Sequence, residues 1–240
     1  MQDFTITHKT QDYTQTASIA LINRFMRGVY LWMAIGLAFT AGAAYYAAHS
    51  PTILNAVFGN RAVFWGLIIV ELVMVISLSA AIQKMSSGMA SALFLIYSLL
   101  NGVTLSVILV IYTQSDITLA FVITAGMFGA MTLYGLTTKR DLTSWGSFLR
   151  MGIIGLLIAL VANLFIGGTT MQLTISGVAV VLFTLLTAYD TQKLRVLGEN
   201  APHDDPTALR RGTILGALTL YLDFINLFLH ILRILAATRR

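Results

Sequence analysis

The chain contains no cysteine, only three prolines and little charge, with 10% of its residues Asp, Glu, Lys or Arg. Without cysteine there is no disulfide framework, no thiolate nucleophile and no zinc site built on Cys. The sequence also has no phosphate-cradling glycine loop, HExxH zinc pair, EF-hand loop or serine-centred elbow, so neither an enzyme nor a resident cofactor is expected. What is present is apolar: 57% hydrophobic residues and a mean hydropathy of +0.81, far from the usual globular balance. The net charge of +5 does not point to nucleic acid, because the basic residues cluster in loops and tails between apolar runs, where they set orientation in a bilayer.

Apolar runs of about 20 residues, long enough to cross hydrocarbon, occupy 28–48, 62–82, 89–112, 117–137, 148–166, 173–194 and 213–235. They predict an all-α integral membrane protein, a bundle of seven transmembrane helices over 28–235 between an N-terminal tail (1–27) and a basic C-terminal tail (236–240). In span five Arg150 must snorkel to the interface, and Gly152 and Gly155 suggest close packing; Ala125, Gly126, Gly129 and Ala130 suggest the same in span four. Trp32, Trp65 and Trp145 fall near segment ends, as an interfacial aromatic belt requires. The N-terminal tail lacks a basic start followed by an apolar core, so no cleavable signal peptide is expected. Ile19, Ile22, Phe25 and Met26 have the spacing of a helix lying along the membrane surface.

Lys and Arg in alternate loops set the orientation. Ten fall on the side of the N-terminus: Lys9, Arg24, Arg27, Lys84, Lys139, Arg140, Lys193, Arg195, Arg210 and Arg211. Three fall on the other: Arg61, Arg239 and Arg240. The N-terminus is therefore expected in the cytoplasm and the C-terminus outside, with the C-terminal pair dissenting.

Two aspartates break the apolar pattern, Asp190 in span six and Asp223 in span seven, and a carboxylate in lipid is costly enough to mark function. Two carboxylates sharing one low-dielectric site cannot both ionise cheaply, so such a pair is suited to exchanging a proton. In span seven Gly212, Gly216, Thr219, Asp223, Asn226, His230 and Arg233 recur at spacings of three and four and share one helix face. A polar stripe of that length faces partner helices or water rather than lipid. Span six runs inward and span seven outward, and at about 1.5 Å per residue Asp223 lies about 18 Å beyond Arg211, within reach of Asp190. Glu71 in span two and Arg233 in span seven are natural counter-charges in the outer half. Ser98, Asn101, Asn163, Thr219 and Asn226 read as interhelical glue, His230 as a packed side chain or a relay, and Asp116, Asp141, Asp204 and Asp205 as solvated loop residues.

The stretches Phe121–Leu142, Leu186–Leu194 (the AYDTQKL motif) and Ile214–Ile234 (the LYLDFINLF motif) resemble the transmembrane Bax inhibitor motif family in its bacterial inner-membrane branch, over nearly all of the chain after residue 20. That resemblance implies a seven-helix bundle with the last helix, about 213–235, central, and a pH-sensitive calcium leak controlled by a di-aspartyl pair at Asp190 and Asp223. It also implies a second, outer contact between Glu71 and Arg233. A basic residue near the inner end of span two stands beside the aspartates in some members; Lys84 is the nearest candidate here. Calcium would be bound weakly and transiently, at the two aspartates. Family members restrain cell death in eukaryotes and associate with membrane proteases in bacteria.

Other readings compete. A cation-proton exchanger needs the same protonatable carboxylate on its path, and a regulatory protein acting on a membrane protease needs no flux at all. An intramembrane aspartyl protease also needs two carboxylates on neighbouring helices. However, Leu220–Asp223 reads LYLD where those enzymes have GxGD, and Pro51, Pro202 and Pro206 leave no PAL element near the C-terminus.

Overall fold

A computed structural model describes the backbone of residues 2–200 and 205–238, with side chains from residue 20 onward. The Lys9 side chain, Pro202, Asp204, Arg239 and Arg240 lie outside the described residues, which contain helices and turns but no strand. In chain order the helices are α1 (Gln2–Ala48), α2 (Pro51–Phe58), α3 (Arg61–Ala81), α4 (Ser87–Ile111), α5 (Gln114–Thr137), α6 (Gly146–Ile166), α7 (Thr169–Glu199) and α8 (Pro206–Thr238), with 3-10 turns at Ile82–Lys84 and Thr143–Trp145. Among the described residues seven stretches are long and apolar enough to cross a membrane: Ala20–Ala48 of α1, and the helices α3 to α8.

Polar side chains at the loop junctions start these helices by capping free backbone N–H groups. Ser50 accepts from Ile53 N ahead of Pro51, which begins the short α2 that hydropathy alone does not single out. Asn60 accepts from Ala62 N and Ser86 from Met89 N. Asp116 and Asp205, expected in solvent, belong to caps: Thr113 accepts from Asp116 N and donates to Asp116 Oδ2 at 2.7 Å, with Asp116 buried, and Asp205 Oδ1 accepts from Thr207 N and Ala208 N at the start of α8. α6 passes to α7 through Gly167 (φ 69°) and Gly168 (φ 109°), a conformation that side-chain-bearing residues rarely adopt.

α1 lies along α4, and α8 packs against α7, α1, α5 and α4. α8 is the most enclosed span, with 67% of its most apolar window buried against 6% for α3. Phe25 and Met26 do not lie along the membrane surface. Both are buried in the bundle core, and Phe25 fills the space left by Gly198 of α7 and Gly212 of α8. The close helix approaches also differ from expectation. Gly126, Gly129 and Gly155 have open space where a side chain would go. Gly152 does face Leu182 closely, and of the α5 glycines it is Gly135 that meets a neighbouring backbone, a β-carbon there lying 2.5 Å from Ala188 O and 3.0 Å from Thr191 Cβ. Small residues permit close packing but do not choose which face is packed and which meets lipid.

Candidate functional site

The polar stripe of α8 lies against α7. Gly216 lets Leu194 of α7 and Val29 of α1 come close, a β-carbon there lying 2.8 Å from Leu194 Cδ2. One turn further along, Thr219 lines a cavity of about 310 Å³ together with Asp190, Lys193 and Leu194. At the next turn Asp223 and Asp190 come within hydrogen-bonding reach of each other, with exposures of 5% and 9%. Asp223 Oδ2 has no hydrogen-bond donor, and the Lys193 ammonium acts on Asp190 from the cavity side. A buried carboxylate without donors is costly, and a proton held between the two carboxyl groups removes that cost by turning one into a donor.

The rest of the stripe is satisfied locally. Thr219 donates to Leu215 O and Asn226 to Leu222 O within α8. His230 meets Ser176 of α7, Nδ1 to Oγ 3.3 Å, and stacks on Phe183, a packed position reached without contact to either aspartate. Lys84 is exposed in the 3-10 turn after α3 and does not line the cavity at Asp190. The cation tying that turn to α8 is Arg211, which donates to Gln83 O.

Glu71 and Arg233 are not paired. α3 packs chiefly on α4, and the buried Glu71 carboxylate accepts from Thr104 Oγ1 at 2.5 Å and Asn101 Nδ2 at 3.2 Å. Among the described residues the one ion pair is Arg195–Glu199. Asn101 continues the network: Tyr221 Oη donates to Asn101 Oδ1 at 2.9 Å and meets Thr40 Oγ1 at 2.7 Å. Thr40, Thr104 and Tyr221 do not stand out in the sequence. The available sign is that Tyr221 leaves α8 nearly opposite Asp223, so α8 carries polar groups toward two sets of neighbours. Next to Asp190 along α7, Thr191 lies close to Tyr30 of α1, as does Thr132 of α5.

These positions sit in a chain whose relatives can be stated. A sequence model of the family described as "Inhibitor of apoptosis-promoting Bax1" matches residues 22–240. The chain belongs to the Bax inhibitor family. Within that family it is 49% identical over 218 residues to the inner membrane protein YbhL of Escherichia coli strain K12, covering 91% of this chain and 93% of that protein. It is also 44% identical over 229 residues to an uncharacterized protein of Borreliella burgdorferi, covering 95% and 98%, and 38% identical over 241 residues to an uncharacterized protein of Rickettsia prowazekii, covering both in full. With seven apolar helices, this Bax inhibitor family member is a multi-pass membrane protein.

Proposed function

We propose that the chain is a pH-sensitive leak path for calcium or a similar cation in a bacterial inner membrane, with Asp190 and Asp223 as its gate, the N-terminus in the cytoplasm and the C-terminus outside. The observation that carries this reading is the buried meeting of two carboxyl groups from α7 and α8, one oxygen of which has no donor. With one proton between them, a carboxyl-to-carboxylate hydrogen bond ties the two helices and closes the path. Loss of that proton leaves two like charges; at a separation on the order of 4 Å and an effective dielectric near 20 their repulsion is about 4 kcal/mol, enough to shift a two-state helix seam. The opened, dianionic site then attracts a hard divalent cation through oxygen ligands.

Among the described residues no group of three or more His, Cys, Asp or Glu side chains is placed to hold a metal. Backbone carbonyls and water therefore complete the cation's shell, and binding is weak, as conduction requires. Calcium uptake into liposomes containing only the purified protein tests the proposal at pH 6 and pH 8, for wild type beside Asp223→Asn. Flux that rises with pH in wild type and is indifferent to pH in the variant is expected. No flux at either pH from folded, inserted protein sinks the channel reading and favours a regulatory role toward another membrane protein. Counter-transport of protons coupled to each cation distinguishes an exchanger.

A further inference from the structure

Four cations converge where α5 ends and α7 leaves the bundle. Lys139 and Arg140 in the turn after α5, with Lys193 and Arg195 near the end of α7, line a cleft of about 320 Å³. Side-chain hydrogen bonds hold its walls: Gln192 Nε2 donates to Arg140 O and Gln192 Oε1 accepts from Leu142 N, both at 2.8 Å, while Arg195 Nη1 donates to Leu136 O at 2.6 Å. Two carboxylates share the cleft, and both are engaged. Asp141 accepts from Thr143 Oγ1 at 2.6 Å and Thr143 N at 2.9 Å, bonds that hold its carboxyl below the usual carboxylate range, and Glu199 pairs with Arg195 at 3.1 Å. Among the described residues no carboxylate lies within ion-pair distance of Lys139, Arg140 or Lys193, and of the three only Lys193 also acts on a carboxyl group, that of Asp190. Three such cations around a concave space call for an anion with several acceptor oxygens.

The neighbours of the cleft bear on the source of that anion. Trp145, partly exposed in the adjoining 3-10 turn, has the position of an interfacial aromatic. α6 begins at once, and within its first turns Phe148 (68% exposed), Met151 and Ile154 face outward. A basic pocket that includes Thr143, at the start of the turn leading into these outward apolar side chains, suits a molecule with a charged head and hydrocarbon chains, rather than a free ion. We infer that the cleft binds the phosphate headgroup of an anionic phospholipid, held by Lys139, Arg140 and Lys193, with its acyl chains along α6. Lys193 also lines the cavity containing Asp190, so a headgroup that draws its ammonium outward changes the charge beside the aspartate pair. That consequence rests on the gate proposed above; the binding does not.

The test is the thermal unfolding midpoint and native mass spectrum of the full-length protein in detergent with phosphatidylglycerol, phosphatidylcholine or inorganic phosphate. The expected result is retention and stabilisation by phosphatidylglycerol alone. Lys139→Gln/Arg140→Gln should weaken retention roughly tenfold, and Lys139→Arg/Arg140→Lys should keep most of it, separating lost charge from lost fold. Equal effects of both lipids, or undiminished phosphatidylglycerol retention in the glutamine variant, overturn the site. Equal stabilisation by inorganic phosphate overturns the lipid as its occupant. None of these readouts involves ion flux, so their failure leaves the channel proposal standing, and the reverse holds too.

Discussion

Tyr221 and Asp223 leave α8 two residues apart and in nearly opposite directions: the Tyr221 hydroxyl joins Thr40 of α1 and Asn101 of α4, and the Asp223 carboxyl meets Asp190 of α7. The helix is thus anchored by neutral hydrogen bonds on one side and faces a titratable contact on the other. Of the two contacts, only the second joins two acidic groups.

The first prediction concerns the sign of that change. Under the proposed gate, the closed seam is stabilised while a proton is shared and loses that stabilisation as pH rises and the second carboxylate forms. Cation flux should therefore increase with pH in wild type and become nearly pH-independent in both Asp190→Asn and Asp223→Asn. Liposome flux measured every half unit from pH 5.5 to 8.5 checks it, and a fall in wild-type flux with rising pH contradicts it.

Removing the opposite anchor should affect stability and not the pH response. Tyr221→Phe deletes a buried hydroxyl and strands Asn101 Oδ1, at a cost of about 1 kcal/mol. A lowered thermal midpoint in detergent with an unchanged flux-pH midpoint is the expected pattern. An unchanged midpoint in both measurements counts against the network's structural role.

Glu71 should be coupled to Thr104 and not to Arg233. A double-mutant cycle of Glu71→Gln with Thr104→Val should give an interaction of about 0.5–1.5 kcal/mol, and the cycle with Arg233→Gln one near zero. Denaturant unfolding in mixed micelles provides the measurement. Strong Glu71–Arg233 coupling would restore the ion pair expected from the sequence.

Gly135→Ala should destabilise the protein by about 1–3 kcal/mol through overpacking, because the new β-carbon meets Ala188 O and Thr191. Gly126→Ala, with open space around it, should be neutral or slightly stabilising. Comparing the two midpoints tests whether α5 meets α7 at the face seen here.

Much of this was legible without a fold. The seven expected spans coincide with the seven apolar helices to within a few residues at most ends, although α7 and α8 run to Glu199 and Thr238. The added end of α7 carries Arg195 and Glu199 and the added start of α8, from Pro206, carries Arg210 and Arg211, so both are polar enough to escape a hydropathy reading. The placement of Asp190 and Asp223 and the antiparallel run of the last two spans made a contact between them geometrically possible, and the family resemblance implied the pair. His230 and Asn226, on the same stripe, were equally visible, but their partners were not: Ser176 and Phe183 lie on another helix, and Leu222 O on α8 itself.

By itself, the sequence determined that the chain has seven stretches able to cross a membrane and that two of its few carboxylates lie within the last two of them, because hydrocarbon imposes a length and penalises ions wherever the helices stand. The tertiary structure alone decided that Glu71 turns to Thr104 and Asn101, that Phe25 enters the core, and that Gly135 rather than Gly126 meets a neighbour. In a bilayer an apolar side chain is equally at ease against lipid or protein, so hydropathy carries no record of which face is packed. That choice is made by shape and by the pairing of buried polar groups across helices.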